Sequence, residues 1–150
     1  MEAVDAAMLE RLFAVNITGS VLCAREAVKR LSTARGGRGG AIVNVSSRAA
    51  KLGSAGEGVH YAMSKGAIDS LTIGLAREVA QEGIRVNAVA PAWCKRIFTG
   101  KQATRSGRRA WRIPLGRAGM PEEIAAGVMW LLSPAASYVT GAILEMGGGR

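Results

Sequence analysis

The chain has 150 residues, 49% of them hydrophobic, which is enough apolar material for one domain with a sizeable core and too much for a disordered segment. Its formal charge is +9, from 20 Lys and Arg against 11 Asp and Glu, a balance that raises nucleic acid or an anionic membrane as a partner. The excess is local: Lys95, Arg96, Lys101, Arg105, Arg108, Arg109, Arg112 and Arg117 fall in one stretch without an acid, and the rest of the chain holds 12 basic residues against 11 acidic ones, which excludes a uniformly basic binding surface.

From about Val4 to Leu31 the apolar residues Met8, Leu12, Val15 and Leu22 recur along one inclined row, the pattern of one long amphipathic helix. It opens on Glu2, Asp5 and Glu10 instead of a basic leader, and no unbroken apolar run reaches the roughly 18 residues that span a bilayer, so no membrane partner is expected. "ARGGRGG" (Ala34 to Gly40) is too rich in glycine to continue the helix, and "AIVNVSS" (Ala41 to Ser47) follows as a short strand buried on both faces. A loop from Arg48 to about Gly58 leads to a second helix, opened by Tyr61, with Ile68, Leu71, Leu75 and Val79 on one face and Gly83 as its C-cap. "IRVNAVA" (Ile84 to Ala90) is a second buried strand.

Beyond Pro91 the pattern breaks, and Cys94 to Arg112 offers no element. Order returns at "MPEEIAAGVMWLLSP", where Pro121 suits the first turn of a helix, Glu122 and Glu123 suit the positive end of its dipole, and Pro134 ends it. "AILEM" (Ala142 to Met146) makes a third strand. Strands alternating with helices imply a parallel sheet in one α/β domain over residues 1–150. The two cysteines, Cys23 and Cys94, lie in no metal or redox spacing, so no metal site is expected and a reducing cytoplasm is the expected compartment.

"YAMSK" sets Tyr61 and Lys65 four residues apart on a helix, where they are neighbours and the ammonium favours the deprotonated phenol. Such a phenol can give or take a proton near neutral pH. Taken alone, the pair reads more simply as a half-buried tyrosine beside a solvated lysine. Ser46 and Ser47 change the balance, because they stand at the carboxyl end of a buried parallel strand, where open α/β sheets place ligand crevices. Asn16 is an amide inside the first helix, costly unless bonded to something.

"FAVNITG", "NVSS", "YAMSK", "AREVAQEGIRVNAVAP" and "GRAGMPEEIAAGVMWLLSPAASYVTG", in that order, resemble the C-terminal half and more of a short-chain dehydrogenase/reductase. The resemblance implies the C-terminal part of a Rossmann-type doubly wound parallel sheet, an NAD or NADP cofactor, and hydride transfer to or from a small-molecule alcohol or carbonyl substrate. It makes Tyr61 the general acid/base, and gives Lys65 the tasks of tuning that phenol and binding the nicotinamide ribose. Ser47 would orient the substrate carbonyl, with Ser46 as the spare candidate, and Asn16 would hold a water of the proton relay. Pro91 and Ala92 would contact the cofactor. A homo-oligomer is implied as well.

The chain also departs from that family. No GxxxGxG stands in it; "GGRGG" precedes a strand, so no helix N-terminus follows to meet a pyrophosphate, and it reads as a turn. A truncated start, some 90 to 100 residues short at roughly 30 residues per βαβ unit, is the expectation. In "PAWCKRIFTG", Ala92 stands where the family has glycine and Arg96 near the place of a nicotinamide-contacting threonine, and Trp93 to about Arg112 is expected to be a reading-frame anomaly. Two rival readings stand beside the enzyme: a non-catalytic remnant acting only through subunit association, and a nucleic-acid binder using the basic stretch with Trp93, Phe98 and Trp111, the latter disfavoured for want of any binding module.

Overall fold

The computed structural model describes residues 4–94 and 113–150; the expectations placed on the basic stretch from Lys95 to Arg112 lie outside the described residues. The elements run α1 (Ala6–Phe13), a π-helical turn (Ala14–Thr18), α2 (Gly19–Leu31), β1 (Gly40–Val45), α3 (Ala49–Leu52), α4 (Val59–Glu78), β2 (Ile84–Pro91), α5 (Pro121–Leu132) and β3 (Ile143–Met146).

The first helix begins at Ala6, two residues after the start the sequence pattern gave, where the Asp5 carboxylate caps it by accepting the Met8 amide at 2.8 Å. It is not one regular helix. The π-turn inserts a residue between α1 and α2, and Asn16 sits in its middle. Ala6–Leu31 is also a 26-residue rod with an 18-residue window of mean hydropathy 1.3, long and apolar enough by length and composition to cross a membrane, which the search for an unbroken apolar run did not foresee. That window carries Glu10 and Arg11, and the rod packs on α4 through Asn16.

The glycine-rich stretch is a built turn. Gly36 (φ +84°) stops a short 3-10 turn, and at Gly39 (φ +73°) a Cβ would fall 2.6 Å from the Gly83 carbonyl oxygen. That close approach brings the starts of two strands together: the Gly40 amide donates to the same Gly83 oxygen at 3.0 Å. From there β1 and β2 pair in parallel from Gly40↔Ile84 to Val45↔Val89, and β2 pairs β3 in parallel from Ala88↔Ile143 to Pro91↔Met146, in the order β1-β2-β3.

The central strand β2 is buried along nearly its whole length, as its sequence indicates. β1 is not, contrary to expectation: it is partly exposed throughout because it is an edge strand, with no strand on its outer side among the described residues. It also ends at Val45, so Ser46 and Ser47 lie just beyond the strand. The loop after them contains α3, which glycine and serine had concealed, and α4 starts two residues before Tyr61 and gives way to a 3-10 turn after Glu78.

Alternation along β2 sorts the layers. Ile84 and Val86 point to the side of Ala76 and Val79, with Val28, Leu31, Ile42 and Leu75 around them, so α2 and α4 cover that face. Each such buried Val or Ile contributes roughly 1.5–3 kcal/mol by leaving water. Arg85 and Asn87 point to the other face, where α5 lies. The Arg85 guanidinium donates to the carbonyls of Leu131 (2.8 Å), Ser133 (3.2 Å) and Val139 (3.3 Å), capping the carboxyl end of α5. Asn87 donates to the Val139 carbonyl (2.9 Å) and accepts the Ala142 amide (3.0 Å), which turns the chain into β3. Helices on both faces of an open parallel sheet make this a partial Rossmann-type α/β fold.

Candidate active site

Where β1 and β2 end at their carboxyl termini, a cleft of about 600 Å³ opens. Its floor and near wall are Val45, Ser46, Ser47 and Arg48 from the end of β1, and Pro91, Ala92, Trp93 and Cys94 from the end of β2. Tyr61 and Lys65 reach it from the first two turns of α4. Of the residues singled out in the sequence, Ser46, Ser47, Tyr61, Lys65, Pro91 and Ala92 therefore meet in one cavity.

The two serines differ in their surroundings. Ser46 is only 3% exposed, and its hydroxyl donates to the Lys65 carbonyl at 3.3 Å. Ser47 is partly exposed; its oxygen accepts the Ala49 amide at 3.1 Å, at the start of α3, and its hydroxyl lies 3.5 Å from the Pro91 carbonyl. Ser46 thus serves the backbone, while Ser47 keeps a face on the cavity.

Tyr61 is 39% exposed at the cleft, and the Lys65 ammonium lies 5.9 Å from the centre of its ring. Lys65 Nζ donates to the Val45 carbonyl at 2.9 Å, across from α4 to the end of β1. Burial of the side chain pushes its pKa below the ordinary lysine range, because the charged form loses hydration.

Asn16 lies outside the cleft lining. Its Nδ2 donates to the Ser64 hydroxyl at 3.0 Å, and that hydroxyl donates to the Tyr61 carbonyl at 2.8 Å. The Asn16 backbone carbonyl meanwhile accepts the Ser20 hydroxyl at 2.8 Å. The side-chain nitrogen therefore has its partner, and it ties the π-turn to the turn of α4 that carries Tyr61. Ser64, fully buried between Tyr61 and Lys65, escaped notice because a serine inside a helix carries no periodic signal.

Further lining residues had no sequence signal at all. Arg48 follows Ser47 directly; its guanidinium forms an ion pair with Glu145 of β3, and its Nε donates to the Arg150 backbone oxygen at 2.8 Å. Lys51 Nζ shares the same carboxylate at 2.5 Å. Hydrogen bonding from Lys51, with charge from Arg48 and Lys51, holds the Glu145 carboxyl below its usual range. The Arg150 guanidinium lies over the Trp93 ring, 6.0 Å from its centre. His60 also lines the cleft, and its buried Nδ1 has no hydrogen-bond partner among the described residues. No cluster of metal-ligating side chains occurs among the described residues.

Chemically, the cleft offers a phenol, a lysine ammonium and a serine hydroxyl at the mouth of a parallel sheet. A family model described as Enoyl-(Acyl carrier protein) reductase matches residues 1–150. The uncharacterized oxidoreductase YgfF of Escherichia coli (strain K12) is 50% identical over 155 residues, which take in 100% of this chain and 62% of that protein. Cis-4-hydroxycyclohexanecarboxylate dehydrogenase of Sinomonas cyclohexanicum is 39% identical, over 99% of this chain and 59% of its own length. Among solved structures, a mutant of a Serratia marcescens short-chain dehydrogenase/reductase superposes with a TM-score of 0.86 at 33% identity, covering 99% of this chain and 59% of that one. The chain thus spans about 60% of the length of the relatives it matches.

Proposed function

Because the chain belongs to the short-chain dehydrogenase/reductase family, we propose that its cleft is the proton-transfer half of an NAD(P)-dependent oxidoreductase acting on a small-molecule alcohol or carbonyl. The observation that carries this reading is the convergence of Ser47, Tyr61 and Lys65 on one cavity at the carboxyl ends of β1 and β2. A nicotinamide cofactor, when bound, supplies or accepts the hydride. The residues present suit its ribose and ring end: Lys65 is a half-buried ammonium whose one hydrogen bond among the described residues goes to a strand carbonyl, which leaves donors for ribose hydroxyls, and Pro91 and Ala92 form the adjoining wall. They do not include a glycine loop for its pyrophosphate.

In this reading the Tyr61 hydroxyl passes its proton to the substrate oxygen during reduction and takes it back during oxidation. The Ser47 hydroxyl donates to that same oxygen and fixes its direction. The Lys65 ammonium stands 5.9 Å from the centre of the Tyr61 ring, and its remaining donors face the cofactor's ribose. Asn16 acts from behind α4 as a positioning residue, through Ser64 and the Tyr61 carbonyl.

The test is hydride transfer, followed by NAD(P)H absorbance with a panel of alcohols and carbonyls, in this chain fused to the glycine-loop segment of a longer relative. Tyr61→Phe is expected to lower turnover by about 10²- to 10⁴-fold, the worth of a positioned general acid. Near-normal turnover by that variant overturns the assignment. The 150 residues alone, lacking a glycine loop, are expected to bind NAD(P)H weakly, since remote phosphate contacts hold the reacting ring in place. The second reading, association without catalysis, draws on the exposed apolar side chains of the α1–α2 rod and α4; hydride transfer that depends on Tyr61 eliminates it.

A further inference from the structure

We infer that Arg150 is the anion receptor of this cleft, and that the substrate carries a carboxylate beside its reacting alcohol or carbonyl. The inference rests on the oxidoreductase reading of the cavity and adds a specificity-determining residue to it.

Among the described residues three cationic side chains line the cleft: Arg48, Lys65 and Arg150. Two of them are committed. Arg48 is paired with Glu145 and has its Nε on the Arg150 backbone. Lys65 is bonded to the Val45 carbonyl and stands beside Tyr61. Arg150 differs from both. Among the described residues no carboxylate forms an ion pair with its guanidinium, and Glu57, the carboxylate in the lining, has a partner of its own.

The Arg150 side chain is nonetheless not loose. Arg48 holds its backbone at 2.8 Å, and its guanidinium lies over the Trp93 ring, 6.0 Å from the centre. A cation over an aromatic face is attracted by the ring without using its N–H donors as hydrogen bonds to an acceptor, so they stay available. Those donors form a planar fork that matches a carboxylate, and a group already held in place loses less freedom when it binds. Trp93 directly follows Ala92, so the fork stands in the same cavity as Ser47 and Tyr61. A carboxylate seated on Arg150 would therefore orient the rest of a small substrate within the cleft.

The measurement is the Trp93 indole N–H resonance of the 150-residue chain, assigned by its loss in Trp93→Phe. Cyclohexanecarboxylate and cyclohexanecarboxamide, which share shape and differ in charge, are titrated against it. The carboxylate is expected to bind about tenfold or more tightly than the amide, as a charge-assisted pair should. Arg150→Gln should abolish the preference with the circular dichroism unchanged, and Arg150→Lys should retain part of it by keeping charge without the fork. Equal binding of the two compounds, no response to the carboxylate, or a preference that survives Arg150→Gln overturns the proposal. The readout needs no turnover: a Tyr61→Phe enzyme that still works would sink the oxidoreductase reading, whereas a missing carboxylate preference would sink only this one.

Discussion

Asn87 has no exposed surface, and both ends of its amide are used, one on the Val139 carbonyl and one on the Ala142 amide. Asn87→Ala would leave the Ala142 amide without its partner and the Val139 carbonyl with only the longer bond from Arg85, at a cost of about 1–3 kcal/mol for the group left unsatisfied. Urea unfolding should therefore show a lower midpoint at an unchanged slope. Lys65 has the opposite character, because the fold penalises its charge. Its folded pKa lies below the ordinary value of 10.5, so the unfolded chain holds the proton more tightly. The resulting destabilisation is full at pH below the lowered value and lifts as pH rises through it toward 10.5. Relative to Lys65→Met, the wild-type chain is expected to gain stability across that alkaline window in denaturant melts; parallel pH profiles would refute it.

At the scale of elements, α5 shows how a helix start is fastened. Glu123 Oε2 accepts the Met120 amide at 2.7 Å, and the two Glu123 oxygens pair with the two terminal nitrogens of Arg117, also at 2.7 Å. Hydrogen bonds from Arg117 and from the Met120 backbone lower the Glu123 carboxyl to about 2. A depressed carboxylate stabilises the fold above its unfolded value of about 4.5 and loses that contribution as pH falls through about 2. The pair is exposed, so the effect is modest. In thermal melts between those pH values the wild type should decline more steeply than Glu123→Gln; identical slopes would remove Glu123 from the account. The π-turn is a second such device. It places the Asn16 side chain against Ser64, where a regular helix would have rotated the later residues by part of a turn.

For the whole molecule, the apolar surface left in water decides the expected assembly. On the α1–α2 rod Met8, Val15 and Leu22 are 48%, 67% and 45% exposed, and on α4 Val59, Met63 and Ile73 are 43%, 56% and 37% exposed. These rows and the open edge of β1 are surfaces that a second copy of the chain can cover. Sedimentation velocity is expected to show self-association, and Met63→Glu should shift it toward monomer. A compact monomer indifferent to that substitution would contradict the expected self-association.

Sequence alone determined the alternation of helix and strand, because apolar period, glycine and proline act locally. It also determined the family, because Ser47, Tyr61, Lys65 and Asn16 stand in motifs whose order is itself a signal. It placed Ser46 and Ser47 correctly at a strand end, though it could not tell which hydroxyl the backbone would claim. Only the tertiary structure decided that β1 lies at the sheet edge, since burial depends on which strand stands alongside and periodicity carries no such information. It alone decided, too, that Asn16 meets Ser64 across 48 positions, and that Arg48 holds Arg150 across 102, beside Trp93. Contacts between residues so distant in the chain arise from the crossing of packed elements, and no local pattern of residues encodes where those crossings fall.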